Sequence, residues 1–381
     1  MKKIDRRAFL KHLGIGTAAV ASATALTNCK NGGGNRMQDE PATGKMTYRE
    51  NPETHSRVGL LGYGMRLLPT VGQSGAGGEK QQSDDETIDQ DRVNRLVDYA
   101  LSHGVNYFDT APVYSNGQSE RATGMALQRH KRSSYLLTSK MSNMRTFTKE
   151  ASTAMFNNSL KVLQTRYIDY YALDAIGIDD DERDAMELFQ ARFIDNGVLD
   201  FLLQKRKEGT IRNLGFSFQG DQEVFDHALS MHDTGRVHWD FAQIEMNYLS
   251  WNHAHELKAD KVNASYLYAE LQKRGIPVII MNPLLGGKLA DLPNPVMAKL
   301  KQRAPEHSAA SWTLRYCGSF KGVLTVVSNM TFMEHLKDNL RSFCPLEPLS
   351  DKDKAWLEGA VSKEMMTYRT IPCTDCKHCM P

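Results

Sequence analysis

The chain has 381 residues, of which 41% are hydrophobic, and a formal net charge of +2. This composition is sufficient for a large buried core. After the first residues there is no basic run interleaved with aromatic side chains, so nothing in the charge pattern points to a nucleic acid as partner. The sequence has no internal repeat of the kind that defines a solenoid or a propeller, and its length alone would suggest about two domains.

Residues 1–29 have the features of a targeting segment. Basic residues precede an apolar, alanine-rich run, Leu13–Leu26, which is too short and too weakly hydrophobic to span a membrane. Asp5–Lys11 resembles the twin-arginine motif of a pathway that exports folded proteins, so we expect a periplasmic protein. Leu26–Cys29 resembles a lipobox, which would make Cys29 a lipid anchor and the one membrane contact. A soluble periplasmic product is the alternative.

Residues 30–57 are rich in glycine, asparagine and charged residues, which predicts a flexible tether. From Val58 onward, short apolar runs alternate with segments of helical periodicity. Strands separated by helices indicate a parallel sheet, and eight of them close a barrel. We therefore predict an α/β fold, a (β/α)8 TIM barrel over residues 58–349, with a C-terminal helix and the start of a metal-binding tail over residues 350–381. The predicted strands are Val58–Leu61, Val105–Phe108, Tyr135–Thr138, Ile168–Leu173, Ile211–Phe216, Phe241–Ile244, Pro277–Met281 and Val323–Val327.

Chemically active side chains follow two neighbouring predicted strands. Asp109 comes directly after one strand, Tyr114 lies five residues later, and Lys140 follows the next strand. The carboxyl ends of barrel strands meet on one face, where barrel enzymes place their catalytic groups. A phenol with a pKa near 10 is a poor acid at neutral pH. A lysine beside it stabilises the phenolate, and an aspartate keeps that lysine charged. Taken alone, the Asp109 stretch could also be a surface turn.

These residues resemble the aldo-keto reductase superfamily, through Gly104–Tyr114, Glu120 and Thr138–Lys140. The family has a catalytic tetrad of Asp, Tyr, Lys and His, so the resemblance assigns Asp109, Tyr114 and Lys140 to three of its places. The fourth place, after the strand near Tyr170, holds Asp174 instead of histidine. Neutral imidazole can donate a hydrogen bond to a substrate carbonyl, whereas an ionised carboxylate can only accept. We expect Asp174 to raise the pKa of the phenol or to capture the lysine.

The resemblance also implies an NADP(H) site along the same face. Ser217 and Gln243 would meet the carboxamide of the nicotinamide, and glycines in the loop Pro283–Leu289 would let backbone amides approach the phosphates. No Gly-x-Gly-x-x-Gly motif of the dinucleotide-binding fold is present. The cofactor residues that the resemblance implies are Gly64, Arg66, Ser217, Gln243, Leu284, Gly286, Gly287, Ser328, Asp338 and Asn339.

Three further positions depart from the related members that carry an iron–sulfur tail. Those members tend to have His, Glu and Gly where this chain has Gln219, Asn282 and Asn329. Together with Asp174, these changes put ordinary carbonyl reduction in doubt, although drift in a working enzyme would also explain them. The pair His253 and His255 has no third ligand at useful spacing, so we expect a solvated loop there, not a metal site.

The end of the chain has three cysteines, Cys373, Cys376 and Cys379, in the pattern Cys-x2-Cys-x2-Cys. Thiolates at this spacing bind a 4Fe-4S cluster in bacterial ferredoxins. A zinc knuckle and a disulfide pair are the alternatives, the latter because an exported protein is exposed to oxidation. The tail resembles that of the ferredoxin-tailed aldo-keto reductases, in which a fourth cysteine follows. We therefore expect the reading frame to continue past Pro381 with that ligand.

Two functions from different classes follow. The first is an exported NADP(H)-dependent oxidoreductase that acts on a carbonyl or related small substrate, with the tail cluster fixing the C-terminus or passing electrons to a redox partner protein. The second is a catalytically degenerate barrel retained as a surface ligand-binding or structural lipoprotein. Binding of NADPH separates them, because an inert protein that also ignores the cofactor fits only the second.

Overall fold

The computed structural model describes residues 40–73, 87–259 and 261–368. The predicted export segment, Cys29 and the three tail cysteines Cys373, Cys376 and Cys379 lie outside these residues.

Eight parallel strands form a closed barrel in which the last strand pairs with the first. The strands follow one another in chain order around the barrel, and helices connect them, so the predicted (β/α)8 TIM barrel is confirmed. The strands are β1 Tyr48–Glu50, β2 Arg57–Gly59, β3 Leu61–Gly64, β4 Tyr107–Asp109, β5 Leu136–Met141, β6 Ile168–Ile176, β7 Ile211–Phe218, β8 Phe241–Glu245, β9 Val278–Met281 and β10 Val323–Asn329, of which β3 to β10 form the barrel.

The start of the barrel differs from the prediction. The predicted first strand, Val58–Leu61, is divided between β2, which pairs antiparallel with β1, and β3, which pairs with β4 and β10. The residues from Val58 to Leu61 are all buried, so their apolar pattern cannot locate the boundary between the two strands. Residues 48–57, predicted as part of a flexible tether, instead belong to this hairpin.

The hairpin of β1 and β2 is fixed to the N-terminal end of the barrel. The Asn51 side chain donates a hydrogen bond of 2.9 Å to the hydroxyl of Tyr170, near the start of β6. The Arg49 guanidinium donates to the backbone carbonyls of Gly318 at 2.6 Å and Val323 at 2.5 Å. The hairpin therefore closes the end of the barrel opposite to the face where the strands finish.

The inside of the barrel is filled by side chains. The rings of Tyr107 and Phe241 pack edge-on against Tyr170, with centroids 5.2 and 5.3 Å apart, and Ile279 and Leu324 join them. These residues are buried. The barrel is a packed core and not a pore, which leaves the C-terminal ends of the strands as the place for chemistry.

Helices cover the outside of the barrel with their apolar faces inward. The first shows the pattern, since Val93, Leu96, Val97 and Ala100 recur at helical spacing and are buried. None of the helices in the described part of the chain is long and apolar enough to cross a membrane. The helices are α1 Gln90–Ser102, α2 Gln118–Leu127, α3 Lys149–Val162, α4 Ala185–Phe189, α5 Val198–Lys207, α6 Gln222–Asp233, α7 Ser250–Leu257, α8 Ala264–Lys273, α9 Asn294–Arg303, α10 Ala309–Gly318, α11 Met333–Phe343, α12 Asp351–Trp356 and α13 Ser362–Met365.

Candidate active site

Asp109, Tyr114 and Lys140 come together at the C-terminal ends of β4 and β5. The buried Lys140 ammonium donates to Asp109 Oδ1 at 2.5 Å, to the backbone carbonyl of Thr110 at 3.1 Å and to the Tyr114 hydroxyl at 3.0 Å. An ammonium has three hydrogens, so these acceptors use all of its donors. Lys140 therefore links the phenol directly to the carboxylate, as the sequence predicted.

A tight turn places Tyr114 over this pair. The residues that follow it, Ser115, Asn116 and Gly117, have φ angles of 48°, 51° and 82° and lie in the left-handed region. This backbone reverses direction immediately after Tyr114 and then starts helix α2. The Arg66 guanidinium lies 5.3 Å from the centre of the Tyr114 ring, on the side of β3. Arg66 thus contacts the catalytic candidate itself, whereas the sequence placed it only among cofactor residues.

Neighbouring charges adjust the acidity of this pair. Burial raises the pKa of Tyr114, Lys140 counteracts it, and the negative charges of Asp109 and Asp174 raise it further. Burial works against the charged form of Lys140, but Asp109, Tyr114 and Asp174 outweigh it and raise the pKa of the ammonium. The phenol therefore holds its proton at neutral pH, beside a lysine that stays charged.

Asp174, on β6, is held by two serine hydroxyls. Ser142 donates to Asp174 Oδ2 at 2.6 Å, and Ser217 donates to Asp174 Oδ1 at 2.5 Å. The carboxylate is partly exposed. Of the two effects expected for it, the Asp174 charge adds to the rise in the pKa of Tyr114 that burial mainly causes, whereas Lys140 bonds to Asp109 and is not captured.

A buried arginine fixes the backbone that carries Asp174. Arg192 is 1% exposed, and its guanidinium donates to the carbonyl of Ala175 at 2.8 Å and to the carbonyl of Asp174. Its Nε also reaches Asn143 Oδ1 at 3.4 Å. Burial lowers the pKa of Arg192 to about 10, and the negative charge of Asp174 opposes this change. Asp174 is thus supported from both its side chain and its backbone.

Ser217 and Gln243 face each other across β7 and β8. Gln243 Nε2 donates to Asp109 Oδ2 at 3.1 Å, which ties the predicted cofactor residue to the predicted catalytic one. Its Oε1 is buried and has no hydrogen-bond partner within the described residues. A buried polar atom without a partner is costly, so this oxygen is available for a ligand donor.

The loop after β9 keeps its glycine amides occupied. The Gly286 amide donates to Asn282 Oδ1 at 2.8 Å, and the Gly287 amide donates to the Leu284 carbonyl at 3.0 Å. Asn282 Nδ2 donates in turn to Glu245 at 2.8 Å. The loop predicted to hold phosphates is therefore closed on itself by hydrogen bonds, and Asn282, noted as a departure from the related sequences, holds it in this form.

The residues predicted for the adenosine end lie on β10 and α11. Asn339 Nδ2 donates to Ser328 Oγ at 3.0 Å, so these two meet as expected. Asp338 instead accepts a hydrogen bond of 2.6 Å from Ser308, at the start of α10. Gly64 lies opposite Asn329, whose Oδ1 would be 2.4 Å from a Cβ at residue 64, so the glycine leaves room for that amide.

The predicted cluster ligands Cys373, Cys376 and Cys379 lie outside the described residues. Within residues 40–73, 87–259 and 261–368, His, Cys, Asp and Glu form no group that could hold a metal ion. The imidazoles of His253 and His255 contact the Glu256 carboxylate and the Ala259 carbonyl.

Sequence reasoning missed Thr110, Ser142 and Arg192. The signal for Ser142 was present, because residues two apart at a strand end project to the same side and Ser142 follows Lys140 by two. Arg192 had no such signal, since its role depends on a contact between a helical segment and β6. Thr110 acts through its backbone carbonyl, which any residue could supply.

Comparisons with known proteins agree with this geometry. An oxidoreductase of Bacillus subtilis named YqkF and described as uncharacterized is 23% identical over 273 residues, which covers 67% of this chain and 83% of that protein. The holo form of an aldo-keto reductase from Bacillus halodurans matches with a TM-score of 0.59 and 21% identity, covering 84% of this chain and 96% of that one. An aldo-keto reductase from Klebsiella pneumoniae in complex with NADPH matches with a TM-score of 0.58 and 21% identity, covering 81% and 93%.

At these identities the structural matches support the fold alone. The sequence pattern of the Aldo/keto reductase family matches residues 72–361, which is most of the chain and includes Asp109, Tyr114, Lys140 and Asp174. The chain therefore belongs to the aldo/keto reductase family.

Proposed function

We propose that the protein is an NADP(H)-dependent oxidoreductase that reduces a carbonyl or related small substrate. The observation that carries this proposal is the Lys140 ammonium, which bonds to both the Tyr114 hydroxyl and Asp109 at the C-terminal end of the barrel. In this arrangement Tyr114 holds the proton for the carbonyl oxygen. Lys140 stabilises the phenolate that remains, and Asp109 keeps Lys140 charged.

The residues around Gln243 fit a nicotinamide cofactor. The carboxamide N–H groups of the nicotinamide would donate to the buried Gln243 Oε1 and to the hydroxyl oxygen of Ser217. The Ser217 oxygen is free to accept because its own hydrogen is donated to Asp174. When bound, the reduced coenzyme supplies a hydride. The NADPH bound to the Klebsiella pneumoniae relative favours the phosphorylated coenzyme.

Fluorescence titration with NADPH and NADH, followed by turnover with a panel of aldehydes and quinones, tests this function. We expect NADPH to bind, and we expect Gln243→Leu to weaken that binding because it removes the unpaired acceptor. Gln204→Leu, the same substitution at an exposed glutamine of helix α5, serves as the matched control for coenzyme affinity. A wild-type protein that binds neither coenzyme would refute the proposal.

Asp174 favours a second candidate, a degenerate barrel kept for ligand binding. An ionised carboxylate at that place leaves a substrate carbonyl with Tyr114 as its donor. The same experiment separates the two functions, since a degenerate barrel turns over none of the carbonyl compounds.

We further propose export by the twin-arginine pathway to the periplasm, with Cys29 as a lipid anchor, and a 4Fe-4S cluster bound through Cys373, Cys376 and Cys379. The order of basic residues and apolar run at the start of the chain supports the first, and the cysteine spacing supports the second. Cell fractionation with and without a functional twin-arginine translocase tests the location. Iron and sulfide analysis of anaerobically purified full-length protein tests the cluster.

A further inference from the structure

The two hydroxyls that hold Asp174, and the ammonium of Lys140 on the neighbouring strand, have no hydrogens left for a substrate. The Ser142 and Ser217 hydroxyls each have one hydrogen, and both are donated to Asp174. The three hydrogens of Lys140 are donated to Asp109, Thr110 and Tyr114. Next to Asp174, a substrate therefore meets the oxygens of these hydroxyls and of the carboxylate, which can accept hydrogen bonds.

The Asp174 carboxylate can still accept. Each of its oxygens receives one hydrogen bond from a serine, and a carboxylate oxygen has room for two. The group is partly exposed, and Arg192 fixes its backbone through the carbonyls of residues 174 and 175. A rigid, charged and partly exposed acceptor is a strong partner for a hydroxyl group.

Tyr114 supplies the opposite polarity. Its hydroxyl accepts from Lys140, so its own hydrogen remains for a substrate oxygen. Lys140 is paired in register with Ala172, two residues before Asp174, which sets the phenol and the carboxylate at neighbouring strand ends. A ligand that spans them would present an acceptor to Tyr114 and a donor to Asp174.

We propose that the site selects carbonyl compounds with a hydroxyl group on the carbon next to the carbonyl, and that Asp174 is the residue that recognises this hydroxyl. This inference rests on the proposed reductase function. A bound reduced coenzyme would supply the hydride to the carbonyl carbon and be left oxidised, and Tyr114 would give its proton to the carbonyl oxygen, so that the product is a diol. The neighbouring hydroxyl donates to Asp174 and is unchanged.

The test compares glycolaldehyde with acetaldehyde, which differ by this hydroxyl, in wild type, Asp174→Asn and Asp174→His. The control is Asp181→Asn, an exposed carboxylate in the loop that follows the same strand. The ratio of kcat/KM values for the two aldehydes is measured in each protein. Glycolaldehyde and acetaldehyde differ in hydration and in intrinsic reactivity, but these differences are the same for every protein and cancel when the ratio is compared between proteins.

We expect the preference for glycolaldehyde to fall about tenfold or more in both Asp174 variants, since a hydrogen bond to a charged group has at least that effect. The control should retain the wild-type ratio. Active Asp174 variants with an unchanged ratio would overturn the proposal, and having two variants guards against one that fails to fold.

If wild type reduces no carbonyl compound with either coenzyme, the reductase function fails and binding alone decides the inference. Saturation-transfer NMR then compares glycerol with 1-propanol in wild type and Asp174→Asn. Stronger saturation of glycerol that disappears in the variant supports recognition of the hydroxyl by Asp174. Equal saturation of glycerol in both proteins overturns it.

Discussion

Replacing Lys140 by methionine should remove turnover and strongly destabilise the fold. The ammonium is buried and neutralises Asp109 at 2.5 Å, so methionine leaves a buried carboxylate without its cation. Removing one partner of a buried ion pair lowers the free energy of unfolding by about 3–5 kcal/mol. The loss of the group beside the phenol should lower turnover by about 10²–10⁴-fold.

The double variant Lys140→Met with Asp109→Asn tests whether the unpaired Asp109 carboxylate causes the loss of stability in Lys140→Met. A neutral amide at residue 109 no longer needs a cation and can still accept from Gln243, whose bond to Asp109 is 3.1 Å. We therefore expect the double variant to regain part of the lost stability, with a coupling free energy of about 0.5–3 kcal/mol. Turnover should stay absent, because neither single change restores a cation beside Tyr114.

Urea unfolding of the four proteins gives the coupling free energy, and NADPH titration shows whether the cofactor site survives. The affinity for NADPH should stay within several-fold of wild type, because the predicted cofactor contacts come mainly from other strand ends. Additive stability losses would show that Lys140 and Asp109 do not act as a pair. Unchanged turnover in Lys140→Met would exclude Tyr114 and Lys140 as the proton-donating pair.

Four further results are expected. Asp174→His should raise turnover of acetaldehyde by at least about tenfold because it restores a donor; slower turnover would show an adapted carboxylate. The negative charge of Asp174 contributes to the raised pKa of Tyr114, so Asp174→Asn should lower that pKa. The fall of kcat/KM for reduction at alkaline pH should then begin at lower pH. An alkaline side of the pH profile that stays in place would contradict this coupling between Asp174 and Tyr114. Arg192→Met removes the donor to the carbonyls of Asp174 and Ala175 and should lower the free energy of unfolding in urea by about 1–3 kcal/mol or more, whereas the exposed control Arg145→Met should change it by less than about 0.5 kcal/mol. Full-length protein purified without oxygen should contain iron and sulfide, and zinc alone would refute the cluster.

The catalytic candidates were predictable because their signal is local. Asp109 and Lys140 each end an apolar strand, and parallel strands bring their ends together whatever the intervening sequence does. The barrel itself follows from the same alternation of strands and helices. The hairpin of β1 and β2 was not predictable, since each strand has three residues and its first strand is only half-buried.

The surroundings of Asp174 show the limit of sequence reasoning. An aspartate in place of histidine indicated that a hydrogen-bond donor to the substrate carbonyl is missing. Whether the Asp174 carboxylate binds Lys140 or another group depends on which side chains reach it. Ser142 and Ser217 come from two different strands, and Arg192 comes from a helical segment beyond the next loop. Such contacts depend on tertiary packing, which a local pattern cannot specify. The glycines of the loop after β9 likewise predicted backbone amides that approach the phosphates, but not that Asn282 would occupy the Gly286 amide.

The Arg49 contacts can form only after most of the chain has been synthesised. Arg49 reaches the carbonyl of Val323 across 274 residues of sequence, and β3 pairs with β10 near the end of the barrel. At a synthesis rate of about 5–20 residues per second, the N-terminal hairpin waits roughly 15–55 seconds on the ribosome for its partners. Until β10 is available, β3 lacks one of its partners and the barrel cannot close, and unpaired strand edges are prone to wrong pairing. Nascent chains of this protein should therefore depend on chaperones until the residues of β10 have emerged.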